Sequence, residues 1–176
     1  KKNSKEESNA FIFASQGKNN NLKTFQYLDS IGVNPKIITK NGMTPMHFLP
    51  RNIENLRIYD FFIKKGVDIN RLDKDGNTVL SNAAIHGKKE LISFLLKNHA
   101  NLNISNNNGQ SPLMLATKYN KSDVINLMIL NGGNLKKIDK KNNSITHYLI
   151  QSFNEKDIDS FDKKLEILIE NNINFN

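Results

Sequence analysis

The stretch Asp73-Lys-Asp-Gly-Asn-Thr-Val-Leu80 recurs along the chain in altered form. One copy reads Asn106-Asn-Asn-Gly-Gln-Ser-Pro-Leu113, an earlier one Thr39-Lys-Asn-Gly-Met-Thr-Pro-Met-His47, and a later one Asp139-Lys-Lys-Asn-Asn-Ser-Ile-Thr-His147. The anchor positions are 34, 33 and 33 residues apart, at Gly42, Gly76, Gly109 and Asn142. A constant period of this length indicates a repeat architecture, in which every unit solves the same packing problem.

A second segment repeats with the same period and carries a helical pattern. The segment from Leu91 to Asn103 aligns with the one from Val124 to Lys136, and three further segments align with both: Thr24 to Asn34, Arg57 to Asn70 and Leu165 to Asn176. Its apolar residues fall on one face of a helix, at Leu91, Ile92, Leu95 and Leu96. Each unit therefore needs a neighbour against which to bury that face.

The residues between these segments match helix starts and stops. Hydroxyl residues suited to N-caps precede the first helix of each pair, at Thr44, Thr78, Ser111 and Ser144. Pro45 and Pro112 follow at the first helical position, where a missing N–H costs nothing. The three anchor glycines and Asn142 are expected at positive φ. The second helix is expected to end at Gly66, His99, Gly132 and Asn172.

The repeat resembles the ankyrin unit, in which two antiparallel helices are followed by a hairpin-like finger. The resemblance covers nearly the whole chain. It implies an all-α solenoid of stacked antiparallel helix pairs joined by such fingers. Residues 1–176 would form a single array of about five units. The units are 1–38, which lacks its opening turn, 39–72, 73–105, 106–138 and 139–176, the last with an insertion between its helices.

Two departures from the repeat carry structural expectations. Pro50 interrupts the first helix of the second unit, so this helix is expected to be short or distorted. Between Gln151 and Lys164 the fifth unit carries about seven extra residues, which fall where a loop tolerates added length.

Composition narrows the possible chemistry. The chain has no Cys, which excludes disulfides, thiolate metal sites and a cysteine nucleophile. No two His show metal-ligand spacing on one helix, and no phosphate-cradling glycine loop is present. Asp73 and Asp139 are interpreted as turn-stabilising side chains rather than a general acid–base pair. The resemblance assigns His47 and His147 to hydrogen bonds between neighbouring loops. We therefore expect no enzyme activity, no bound metal and no cofactor.

The resemblance also implies a binding face, formed by the finger tips and the exposed side of each first helix. The varying residues at these positions are the candidate partner contacts: Ile38, Lys40, Met43, Leu72, Lys74, Asn77, Ile85, His86, Asn108, Gln110, Lys118, Tyr119, Lys140 and Lys141. Arg51 and Asn52 hold matching positions in the second unit. Of the apolar candidates, Ile38, Met43, Ile85 and Tyr119 are expected to be exposed and to anchor a partner. The densest basic stretch, Lys136 to Lys141, is either a solvated tip or a contact for an acidic surface.

These observations predict a non-catalytic protein–protein interaction module with a protein partner. The formal charge of +8 keeps a nucleic-acid or polyanion binder as an alternative. Lys is spread along the chain rather than clustered with aromatic residues, which argues against nucleic acid. An accessory domain of an enzyme is a third reading.

The sequence also carries expectations about membrane spans, the extent of the array and the location of the protein. No apolar run approaches the roughly 20 residues of a membrane helix. The ends look poorly capped, which resembles a segment of a longer array of the kind found in low-GC bacteria; large AT-rich viruses also encode such arrays. We expect the chain to be monomeric or part of such a longer chain. A bacterial origin would favour an exported or periplasmic location over the cytoplasm.

Overall fold

The structure, a computed structural model, describes residues 4–17, 21–49, 55–119 and 122–173, with side chains from Ala10 onward. The chain forms two compact units, Lys1–Val79 and Leu80–Asn176. All regular structure in the described residues is helical, and none of them lies in a β-strand. The prediction of an all-α fold is therefore confirmed. The division into five repeats as a single array stays a prediction.

The finger turns are built around one side chain each. The Asp73 Oδ1 atom accepts hydrogen bonds from the N–H groups of Asp75 (2.9 Å) and Asn77 (2.8 Å). Asp139 Oδ1 does the same for Lys141 (2.8 Å) and Asn143 (2.9 Å). Both carboxylates are buried. Buried charge is tolerated here because backbone N–H groups replace the lost water, and the predicted turn-stabilising role is confirmed.

A left-handed residue closes each finger turn, as predicted. The φ angle is +74° at Gly42, +78° at Gly76, +81° at Gly109 and +61° at Asn142. Two of these glycines are also crowded. A Cβ atom at Gly42 would lie 2.9 Å from Leu72 O, and one at Gly109 would lie 2.8 Å from the Lys140 nitrogen. The next finger therefore packs against the bare backbone of the previous one.

The first unit contains two helix pairs. They are α1 (Ser4–Gln16) with α2 (Leu22–Ser30), and α3 (Pro45–Phe48) with α4 (Leu56–Lys64). First helices pack together, α1 on α3, and second helices do likewise, α2 on α4. The core is aromatic: Phe11, Phe25 and Phe62 are fully buried, with ring centroids 5.3–6.2 Å apart. Mixed stacked and edge contacts of this kind add to the free energy of burial.

The shortness predicted for the first helix of the second repeat is confirmed. Helix α3 has four residues. Pro50, Arg51 and Asn52 lie outside the described residues.

The second unit continues the same pattern. Helix α5 (Val79–Ile85) begins at the last residue of the first unit, and α6 (Lys89–Lys97) follows it. The next pairs are α7 (Pro112–Tyr119) with α8 (Ser122–Leu130), and α9 (Ile145–Gln151) with α10 (Ile158–Glu170). Helix α7 packs on α9, and α8 packs between α6 and α10. First and second helices thus form separate layers, and the core lies between them.

The insertion in the fifth repeat is only partly a loop. Residues 152–157 connect α9 to α10, but α10 itself has 13 residues where α6 and α8 have nine each. Phe153 in the loop meets Phe161 of α10 edge-on, with ring centroids 5.3 Å apart. This aromatic contact joins the connection to the lengthened helix.

Candidate partner-binding face

We call the finger turns and the exposed side of the first helices the finger face. In the first unit its exposed candidates are Ile38, Lys40, Leu72 and Lys74, while Met43 and Asn77 are half-buried. In the second unit the exposed candidates are His86, Asn108, Tyr119, Lys140 and Lys141, while Ile85, Gln110 and Lys118 are half-buried. Most of the predicted contact residues therefore present some surface to solvent.

The prediction that Met43 and Ile85 are exposed is wrong. Met43 lies inside a closed turn, because its O accepts from the Thr39 N–H (2.9 Å) and its N–H donates to Thr39 Oγ1 (3.1 Å). Ile85 is the last residue of α5 and is half-buried. Ile38 and Tyr119, by contrast, are exposed as predicted.

Five predicted residues of the second unit meet around one pocket. The pocket has a volume of about 230 Å³ and is lined by Asn108, Gln110, Lys118, Lys140 and Lys141. Asp139, Asn143, Tyr148 and Gln151 complete the lining. Ile85, His86 and Tyr119 are not among the lining residues, and the remaining candidates belong to the first unit. In the sequence these five residues belong to two separate fingers and to helix α7, and the fold brings them together.

A chain of hydrogen bonds forms the floor of this pocket. Asn106 Nδ2 donates to Gln110 Oε1 (3.0 Å), and Gln110 Nε2 donates to Tyr148 Oη (2.9 Å). Tyr148 Oη in turn donates to Asp139 Oδ2 (2.6 Å). The Lys140 N–H also donates to Asn108 O (2.9 Å). Two consecutive fingers and helix α9 are thereby held in one fixed arrangement.

Tyr148 and Asp139 are electrostatically coupled. Burial raises the pKa of Tyr148, its hydrogen bond to Asp139 raises it further, and the result is about 12. Burial alone would raise the pKa of Asp139, but hydrogen bonds from Tyr148, Asn143 and Lys141 outweigh it and hold this pKa well below its ordinary value. Asp139 is therefore ionised and Tyr148 neutral at pH 7, which is the state that the hydrogen-bond chain requires.

Comparison with known families identifies the repeat. A family model described as "Ankyrin repeats (3 copies)" matches residues 11–105, 51–142 and 80–176. The chain belongs to the ankyrin-repeat family. No curated protein matches its sequence. Ankyrin repeats are generally protein–protein interaction modules and are typically non-catalytic.

The two ankyrin histidines have different surroundings. The Thr44 N–H donates to His47 Nδ1 (3.1 Å), and His47 Nε2 lies 3.1 Å from the carbonyl oxygen of Arg71. His47 therefore caps its own helix and bridges to the next loop, as the family resemblance implied. Burial lowers the pKa of His47, which favours the neutral ring with its proton on Nε2. His147 makes the same cap to Ser144 (3.2 Å), but its Nε2 has no such bridge among the described residues.

The basic stretch of the last ankyrin finger divides into two roles. Lys137 Nζ donates to Asn103 O (2.6 Å) and to Ser105 Oγ (2.8 Å), so it joins its loop to the preceding one. Lys140 and Lys141 instead line the pocket. The two predicted alternatives, a solvated tip or a contact for an acidic surface, therefore do not apply to Lys137, which is hydrogen-bonded within the protein.

Sequence reasoning missed three residues near this face. Tyr148 stands at the repeat position that Phe48 and Leu115 hold in other units. Its polar hydroxyl at this otherwise apolar position, nine residues after Asp139, was the feature of the sequence that could have indicated its role. Ile150 and Phe153 are exposed at the end of α9 and in the following loop. No periodic pattern marked them, because the insertion begins there.

No group of three or more His, Asp or Glu residues in the described chain is arranged to hold a metal ion. None of the helices described is long and apolar enough to cross a membrane. The expected absence of metal and cofactor stays a prediction.

Proposed function

We propose that this ankyrin chain is a non-catalytic interaction module that binds a protein partner through its finger face. The observation that carries the proposal is the convergence of Asn108, Gln110, Lys118, Lys140 and Lys141 on one pocket. The positions of Gln110 and Lys118, and the position that Asn108 and Lys141 share, vary among the repeats and are free to encode recognition, whereas Lys140 repeats as Lys40 and Lys74 in other fingers. Tyr119, 55% exposed, supplies an aromatic anchor beside Lys118.

The second-helix side of the second unit offers a comparison surface for this proposal. It exposes Leu130 on α8, and Ile158 and Ile169 on α10. Isolated apolar residues on a surface are ordinary and need no partner. They provide a matched control for the finger face.

The test compares two double substitutions in the full chain. Tyr119→Ser with Ile138→Ser alters the finger face, since Ile138 directly precedes Asp139 of the last finger and the two side chains are 55% and 59% exposed. Leu130→Ser with Ile169→Ser alters the second-helix side, where they are 77% and 55% exposed. A partner captured from the native source is titrated against each variant by calorimetry. We expect the finger-face pair to weaken binding about tenfold or more, and the other pair about twofold or less.

The opposite ranking would contradict the proposal. Equal unfolding midpoints for both variants serve as the control that the fold is intact. A partner that proves to be nucleic acid would instead support the polyanion alternative, which the charge of +8 favours.

A further inference from the structure

The pocket on the finger face of the second unit is positively charged and has unused donors. Three lysine side chains line it, and only one carboxylate, Asp139, is present among them. The ion pairs found in the described residues involve none of Lys118, Lys140 and Lys141. Lys118 Nζ lies over the Tyr119 ring, 5.3 Å from its centroid, which leaves its N–H groups available to a ligand.

Asp139 does not neutralise this charge by pairing with the lysines. Its Oδ2 accepts from Tyr148 Oη and from Asn143 Nδ2 (3.0 Å), and its Oδ1 accepts from two backbone N–H groups. The carboxylate is buried and its acceptor positions are taken by these four donors. The lysine ammonium groups at the rim therefore lack a carboxylate partner in the described chain.

Neutral donors stand beside the lysines. The side-chain amides of Asn108 and Gln151 line the pocket and make no hydrogen bond to another described residue. Gln110, by contrast, is held at both ends of its amide. The pocket thus combines a hydrogen-bonded floor with a rim of lysine ammonium groups and amide donors. Such a set suits an anionic oxygen group rather than an apolar or cationic one.

We propose that this pocket receives a carboxylate side chain from an acidic segment of the partner protein. The proposal rests on the proposed function and adds the chemistry of the bound segment. Lys118, Lys140 and Lys141 supply charge, and Asn108 and Gln151 supply hydrogen bonds. Tyr119 at the edge contacts the apolar part of the same segment. Backbone groups of two adjacent fingers fix the spacing of these donors.

The first measurement maps where an acidic probe binds. The ¹⁵N-labelled full chain is titrated with an N-acetylated decaglutamate peptide at about 0.15 M NaCl, and with decaserine as a neutral reference. The largest shift changes are expected at the amides of Asn108, Lys140 and Lys141. Changes spread evenly over the Lys-rich surface would overturn the proposal, whatever the variants show.

The second measurement uses charge-matched variants. The substitutions K118E, K140E and K141E reverse the pocket charge, and K97E, K136E and K156E make the same change at exposed sites outside it. The pocket variant is expected to lose affinity for decaglutamate about tenfold or more, and the control about threefold or less. Equal losses would show only general attraction and would overturn the proposal.

Two further outcomes separate the possibilities. If single-stranded dT10 binds the native chain more tightly than decaglutamate and loses affinity in the pocket variant, the pocket belongs to nucleic acid and the proposal fails. If Tyr119→Ser with Ile138→Ser releases the captured protein partner but the pocket variant does not, the proposed function of the finger face is supported and the proposed carboxylate pocket is overturned.

Discussion

Asp139 shows how one buried side chain can serve both the turn and the site. Its first oxygen closes the finger turn through backbone N–H groups, and its second oxygen receives the Tyr148 hydroxyl from helix α9. Asp73 closes its finger in the same way. At Asp139 the same turn is tied, through Tyr148, to the polar chain beneath the pocket.

Tyr148→Phe should therefore lower stability in a pH-dependent way. The change removes a hydrogen bond to a charged group and leaves Gln110 Nε2 without its acceptor, so the free energy of unfolding should fall by about 2 kcal/mol at pH 7. Because the pKa of Asp139 is lowered in the folded protein, its ionised form stabilises the fold above the ordinary pKa of 3.8. This contribution is lost progressively as the pH falls from that value through the lower pKa that Asp139 has in the folded protein. The difference between native chain and variant should shrink there.

Urea unfolding at pH 7 and at about pH 3 measures both parts of this prediction. Tyr27→Phe is the control, since Tyr27 is exposed. A variant deficit that stays constant down to the acid limit would show that the Tyr148 hydroxyl acts independently of the Asp139 charge.

At the scale of the element, the finger turn has two separate requirements. A left-handed residue must close it, which Asn142 satisfies as well as glycine does. Where another finger packs on top, the closing residue must also lack a Cβ atom, as at Gly42 and Gly109. Glycine is therefore needed for two physical reasons at these positions.

Two glycines in the second unit separate the reasons experimentally. Gly109 and Gly132 have φ angles of +81° and +86°, but a Cβ atom meets neighbouring backbone only at Gly109. Gly132→Ala should cost about 1 kcal/mol of unfolding free energy from backbone strain alone. Gly109→Ala should cost at least about 1 kcal/mol more, because Lys140 and Asp139 must shift.

Thermal and urea unfolding of the two alanine variants gives the comparison. Equal costs would mean that the contact between fingers yields without penalty, and the rigid-floor account of the pocket would lose its support.

At the scale of the whole molecule, charge acts over a longer range than any contact. The chain carries 25 Lys and Arg residues against 17 Asp and Glu. A net charge of +8 raises the encounter rate with an acidic partner, and salt screens this effect over about 10 Å at 0.1 M. Distant lysines should therefore affect association, whereas contacting lysines should also affect dissociation.

Stopped-flow measurement with decaglutamate can distinguish the two effects. At about 0.02 M NaCl the K97E, K136E and K156E variant should associate several-fold more slowly than the native chain, with an unchanged dissociation rate. At about 0.5 M NaCl the difference should vanish. The pocket variant should dissociate faster at both salt concentrations. A salt-independent deficit in the distant variant would show that these lysines touch the ligand.

Much of the fold was predictable from local chemistry. The positive φ angles at Gly42, Gly76, Gly109 and Asn142, the turn roles of Asp73 and Asp139, and the short α3 depend on residues close in the chain. The aromatic core of Phe11, Phe25 and Phe62 was not predicted, because it joins residues from two repeats. Exposure was also harder: Met43 and Ile85 occupy expected positions but are half-buried.

The sequence by itself determined the period, the helix pairs and the finger turns, because the same residue types at the same spacing form the same local structure in each repeat. Only the tertiary structure decided that Lys137 holds a loop while Lys140 and Lys141 line a pocket. It also decided that Tyr148 reaches Asp139 and Gln110. These outcomes depend on residues up to 38 positions apart being brought to hydrogen-bonding distance by stacking. A local pattern contains no information about such distances, because they are set by how the neighbouring repeats pack.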